Sequence, residues 1–216
     1  MPARSMTLSA LALAAWACAD LLHAQEATRL FVAPTARSLR PGDGFAGTTE
    51  IVLPFCEVGL TKRLSVLGGA TPVEGGIAGV MPKLQLYSGR RLQAAVGVAQ
   101  LFGSGYSGGI GFGVLTLGSP DFGVTVGYGY GYGELADSVG PPSLVFAGID
   151  KALGRHVRLI GESYFGGQGL GMPDRTLMAG LRFSSHRFWA DVGVVAPFYE
   201  TGSGGLAPLL TLGFSF

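Results

Sequence analysis

Seven polar side chains fall inside alternating, mostly apolar runs: Glu50, Lys83, Gln85, Arg158, Glu162, Arg182 and Asp191. Acids and bases are balanced among them, and Trp189 shares the face of Asp191. Two kinds of chemistry suit such a set. The charges can pair and brace a closed interior, or they can line a polar path. Arg158 and Glu162 stand four apart and share a strand face, so they are candidates for one network with Arg182 and Asp191. Glu57 has the opposite parity from Glu50, and a bulge near Pro54 would return it to the same face.

Catalytic and cofactor signals are weak beside this set. The histidines are His23, His156 and His186, and none has a serine or carboxylate at a telling spacing. Gly103, Gly105 and Gly108 match a dinucleotide-binding glycine pattern, but another glycine-rich strand follows where that chemistry needs a helix N-terminus. Cys18 and Cys56 offer no cysteine cluster for a metal. No catalytic residue, metal or cofactor is expected. A net charge of +1 gives no reason to expect nucleic acid.

The elements that carry the seven residues are strands. Alternating runs recur at 28–38, 45–60, 64–73, 77–88, 91–102, 108–118, 122–133, 142–152, 156–166, 174–184, 187–198 and 206–216. Two kinds of connector separate them. Short, basic ones hold Lys62, Arg63, Arg90, Arg91, Arg155 and Arg187, with Lys151 beside them; longer ones, rich in glycine, proline and acid, hold Asp43, Glu74, Glu134, Asp137, Asp174 and Glu200. A transmembrane barrel has this asymmetry, with short turns at one end and long loops at the other. The expected fold is all-β, an antiparallel up-and-down transmembrane β-barrel of about 12 strands. Pro34 makes the first strand the weakest. Without it the count is ten or eleven, unless 45–60 bends near Pro54 and counts twice.

Composition supports lipid as the outer solvent. Charged residues make up 13% and mean hydropathy is +0.40, whereas a soluble domain carries about 25% charged residues. In 122–133, Phe122, Val124, Val126, Tyr128, Tyr130 and Tyr132 alternate with Thr125 and glycines. One face suits lipid tails and then an aromatic girdle; the other is nearly bare. That glycine row either leaves space in the lumen, lets another side chain lie against the wall, or permits strong curvature.

Both ends of the chain agree with export. Residues 1–24 read as a signal peptide: a basic start, an apolar run from Met6 to Cys18, and Leu22-His23-Ala24 as the cleavage site, with a cut after Ala19 as the alternative. The mature barrel is then 25–216. Its last strand places Leu210, Leu212, Phe214 and Phe216 on one face and stops on the aromatic. This ending, with the signal peptide and the strand rhythm, resembles the small bacterial outer-membrane β-barrel proteins. Leu30-Phe31-Val32-Ala33-Pro34-Thr35-Ala36 and Pro41-Gly42-Asp43-Gly44-Phe45 are similar to the opening of an uncharacterised subgroup of them. The resemblance implies location in the bacterial outer membrane, contact with its lipids, and Phe216 as the signal read by the barrel-assembly machinery. It brings no substrate and no oligomeric state.

Three functions are compatible with this reading. The leading one is a passive conduit or binding barrel for small or apolar solutes, with Glu50, Lys83, Gln85, Arg158, Glu162, Arg182 and Asp191 lining its lumen. The second is a structural or surface-interaction barrel with a packed lumen. The third is a rim enzyme acting on lipid or peptide, which needs a nucleophile and base in reach of each other.

Overall fold

The computed structural model describes residues 28–50, 52–71, 76–103, 106–133, 143–166, 173–199 and 202–216. The signal peptide and Glu74, Glu134, Asp137 and Glu200 lie outside these residues. The strands are β1 (Gly44–Thr49), β2 (Leu53–Gly59), β3 (Leu64–Ala70), β4 (Ala78–Ser88), β5 (Leu92–Gly103), β6 (Tyr106–Gly118), β7 (Phe122–Gly133), β8 (Ser143–Ala152), β9 (Val157–Gly166), β10 (Arg175–Ser185), β11 (Phe188–Tyr199), β12 (Gly202–Ser203) and β13 (Ala207–Ser215).

Every chain neighbour pairs antiparallel from β1 to β11. β13 pairs with β11 on one side and with β1 on the other, which closes the sheet. β12 adds only a two-residue rung to β11. The ring is therefore a closed, up-and-down barrel of 12 strands. Closure runs to the last residue. Phe216 and Gly44 exchange backbone hydrogen bonds of 3.0 and 2.9 Å, and the Phe216 ring lies across the space that a Gly44 side chain would need.

The pleat follows the alternation of the sequence. On β7, Phe122, Val126, Tyr128, Tyr130 and Tyr132 point outward while Gly123, Thr125, Gly127, Gly129 and Gly131 are buried. The outer wall carries Leu115, Val126 and Val192 about half exposed, at 51, 49 and 50%. Such a continuous apolar exterior fits hydrocarbon and not water. Inside, the glycine row is covered. A side chain at Gly127 would collide with the Phe146 ring, and one at Gly129 would come within 2.7 Å of Ile110. The glycines let neighbouring strands' large side chains lie flat on the wall.

Two expected strands are different in the structure. Residues 28–38 are not part of the wall. They fold as a compact loop inside the barrel, with Thr28, Leu30, Phe31, Ala33, Thr35, Ala36 and Leu39 almost fully buried. The segment 45–60 counts twice because one strand ends at Thr49 and the next begins at Leu53, ahead of Pro54. This exchange preserves the strand number. It also moves Asp43, which sits at the short-turn end. There Asp43 O accepts from Gly59 N at 2.9 Å, and Gly42 N donates to Gly59 O at 2.9 Å. The internal segment thus enters the lumen from the end that holds the short turns and Phe216.

Candidate functional site

The site is the lumen together with the segment that fills it. Residues 28–35 turn back on themselves: Leu30 N donates to Ala33 O, and Thr35 N to Thr28 O, both at 2.9 Å. The turn brings the N–H groups of Phe31, Val32 and Ala33 to one side. Successive backbone N–H groups of this kind make an anion-binding concavity. Glu162, on β9, fills it. Its carboxylate accepts from Phe31 N at 2.8 Å, Val32 N at 3.1 Å and Ala33 N at 2.9 Å, and from the Tyr164 hydroxyl.

A second anchor lies on β10 and β11, where Arg182 and Asp191 are directly opposite in register. Arg182 Nε donates to Asp191 Oδ1 at 2.6 Å and Nη2 to Oδ2 at 2.8 Å. The same Nη2 reaches Leu30 O at 2.8 Å. Arg29, from the segment, lies 3.4 Å from Asp191 Oδ2 and donates to Phe31 O at 2.6 Å. Its guanidinium sits 4.7 Å from the Phe55 ring centre and 4.6 Å from that of Trp189. Burial, aided by the nearby Arg182 guanidinium and opposed by Asp191, pushes Arg29 down to about 10, so it is charged at neutral pH.

A third anchor lies toward the short turns. Asp150, on β8, accepts from Arg158 at 2.5 Å and lies 3.5 Å from Arg37 of the segment. Arg158 also donates to Pro120 O and Arg37 to Ser119 O, each at 2.7 Å, which ties the segment to the β6–β7 turn. On the opposite wall Lys83 lies 3.8 Å from Glu57 and donates to Thr28 O at 3.0 Å. Gln85 donates to Ala36 O at 2.7 Å, and Ala36 N to Thr116 Oγ1 at 2.9 Å. Apolar contact completes the fit: Leu30, Phe31, Ala33 and Ala36 pack with Phe112, Phe146 and Ile160 in one cluster.

Six of the seven residues singled out from the sequence, Lys83, Gln85, Arg158, Glu162, Arg182 and Asp191, are buried in this lumen. Glu50 is not. It occupies the β1–β2 turn at a positive φ of 52°. Its backbone N–H donates to Leu210 O and its carboxylate accepts from Leu210 N, at 2.8 and 2.7 Å. It caps the edge of β13 instead of facing inward. The expected single network is also divided. Residues four apart on a strand are about 13 Å apart, so Arg158 and Glu162 each find partners on other elements. Glu57 is inward without any bulge, since β2 begins anew at Leu53.

Asp150, Arg29 and Arg37 are lumen residues beyond the seven singled out from the sequence. Asp150 keeps the inward parity of Leu144 and Phe146 and was legible on that ground. Arg29 and Arg37 were hidden by the assignment of their segment to a strand. His156 and His186 lie at the short-turn end. His156 Nδ1 is 3.0 Å from Ser184 O, and His186 Nδ1 is 3.4 Å from Ser185 Oγ, longer than a nucleophile–base hydrogen bond.

No family model matches the chain, and no curated protein matches it. Solved structures do. A KdgM porin in complex with disordered oligogalacturonate superposes with a TM-score of 0.59 at 10% identity, covering 81% of this chain and 96% of that one. A NanC porin gives 0.56 at 10% identity, over 81% and 98%. The fold is that of a small outer-membrane porin. The superposed barrel takes up most of this chain and nearly all of each porin. At this identity the likeness is one of architecture, and the lumen has to be read from its own residues.

Proposed function

We propose that this protein is a conduit for small solutes in the bacterial outer membrane, and that residues 28–39 close it in the resting state. One observation carries the reading. All but one of the lumen wall's charges are paired with each other before the segment is counted, Arg182 with Asp191, Arg158 with Asp150, and Lys83 with Glu57; the exception is Glu162, which the segment's N–H groups hold. A segment needed for the barrel's integrity would supply missing partners to the wall's charges, and this one does so at Glu162 alone. Here Arg29 and Arg37 only add a second cation to acids already partnered. The segment can leave without stranding those pairs, and water entering the lumen would satisfy Glu162.

The apolar cluster of Leu30, Phe31, Ala33 and Ala36 with the wall favours a second reading, a structural barrel with a permanently packed lumen. The two differ in conductance. Refolded protein of residues 25–216 should be mostly silent in a planar bilayer with brief openings, and a chain lacking residues 25–38 should conduct steadily. Silence of both would favour the packed barrel.

With the segment out, Glu57, Asp150, Glu162 and Asp191 face Lys83, Arg158 and Arg182, which leaves one excess negative charge. The open path would then prefer cations weakly. The acidic oligogalacturonate held by the KdgM porin is a poor match for such a wall. Export by residues 1–24, assembly through Phe216, and contact of the outer face with membrane lipid complete the proposal. The short basic turns would face anionic head groups on the periplasmic side.

A further inference from the structure

We infer that the outer end of the lumen holds a binding site for an uncharged, apolar small molecule, with the tip of the internal segment as its floor. The inference rests on the conduit reading for its biological sense and on separate observations for its chemistry.

The first observation is a cavity of about 450 Å³ above the segment. This is within the range of small-molecule sites, roughly 300–1,000 Å³. Phe31 and Val32 form its floor, and Phe55, Leu67, Met81 and Leu101 project into it from β2 to β5. Val32 is 57% exposed, although the residues on either side of it are buried. The segment therefore presents a bare isopropyl group to the cavity, held there by the Glu162 clamp on its backbone.

The second observation concerns the polar side chains in the lining, each of which is already engaged. Arg29 is bound to Asp191 and Phe31 O. Thr49 Oγ1 is 3.1 Å from Thr211 Oγ1. Thr71 bonds with Ile77, and Gln100 receives the Tyr132 hydroxyl and donates to Gly108 O. A sugar or an ion would gain little from these side chains in return for its hydration. An apolar molecule would remove Val32 and its neighbours from water.

The third observation is the rim. β1, β2 and β3 have 6, 7 and 7 residues, whereas a tilted membrane-spanning strand needs about 9–11. β5, β6 and β7 have 12, 13 and 12. The cavity lies behind this low wall, and its lining takes Leu53 and Pro54 from the top of β2. Its mouth is thus set deeper in the bilayer than the rest of the rim, where apolar solutes concentrate.

The test is photolabelling of the mature chain in lipid nanodiscs with a diazirine-bearing decanol. A site saturates and is competed by unlabelled decanol, whereas lipid partition rises in proportion to the probe. Labelling of Val32, Met81 and Leu101 should saturate and be competed, while that of the lipid-facing Leu115 and Val126 should not. Val32→Asp should reduce the saturable labelling on the order of tenfold, as expected for an unpaired charge placed in an apolar site. Leu101→Asn, on the wall, should reduce it in the same direction without touching the segment. Absence of saturable labelling at Met81, or labelling unchanged in both variants, would overturn the site. The readout does not require the segment to move. Labelling with no conductance on removal of residues 25–38 would therefore overturn the conduit and keep the site, and the reverse result would do the opposite.

Discussion

Arg182 and Asp191 stand directly opposite on β10 and β11 and form a two-pronged ion pair, with Nε–Oδ1 at 2.6 Å and Nη2–Oδ2 at 2.8 Å. The pair faces the lumen, and the second prong also reaches Leu30 O. It is at once part of the wall and a latch on the segment. Asp191→Ala leaves Arg182 and Arg29 beside each other without their acid. Removal of one partner of a buried pair costs about 3–5 kcal/mol. Replacing all three by Arg29→Leu/Arg182→Met/Asp191→Leu should recover most of that loss. Urea unfolding in lipid vesicles measures both.

Glu162→Gln tests the clamp. A carboxylate can accept from three N–H groups, whereas an amide turns its own NH₂ toward at least one of them. Hydrogen bonds to a charged group contribute about 1.5–3 kcal/mol, so the open fraction should rise by about tenfold or more. The barrel's own pairs are untouched, and its heat-modifiable migration should be unchanged. Single-channel recording gives the open fraction directly.

Gly127 tests the covered wall. Its missing side chain is the space in which the Phe146 ring lies. Gly127→Ala should destabilise the barrel by about 1–3 kcal/mol, as overpacking does. Phe146→Leu in the same chain should relieve it. An unfolding midpoint unchanged by Gly127→Ala would mean that the ring lies elsewhere.

Orientation is checked by cysteine labelling in a Cys56→Ser background. A cysteine at Asp174, beside a long loop, should react with a membrane-impermeant reagent on whole cells. Cysteines at Arg90 and at Asp43, both at the short-turn end, should not. Deletion of Phe216 removes the hydrogen bonds to Gly44 that close the barrel, and should reduce assembly in cells more than stability in vitro.

Most of the barrel was legible because its outer face obeys one rule. Every second residue from Phe122 to Tyr132 and from Leu210 to Phe216 is large and apolar, and one solvent on each side of a wall dictates such a period. The internal segment breaks the rule because it has no outer side. Leu30, Phe31, Ala33, Thr35 and Ala36 are buried whatever their parity. Its alternation is accidental, and Pro34 was the one residue that spoke against a strand. The reversal between Thr49 and Leu53 was hidden for the opposite reason. Glu50, Ile51 and Val52 are not turn formers, and Glu50 adopts its positive φ because its carboxylate caps Leu210 N. Of the ion pairs, Arg182 with Asp191 was legible as part of one expected network; the others were not, since partners are set by the register between strands and by a segment that belongs to none.

The central claim, that residues 28–39 are a removable closure, is tested most directly by a reversible lock. Ala36 N of the segment lies 2.9 Å from Thr116 Oγ1 of the wall, so Ala36→Cys/Thr116→Cys in a Cys56→Ser chain places two thiols close enough to be joined by a disulfide. Conductance of this one protein is recorded in a planar bilayer under oxidising conditions and again after dithiothreitol. The account predicts a silent oxidised barrel that gains openings on reduction and loses them on reoxidation. Equal conductance in both states would contradict it.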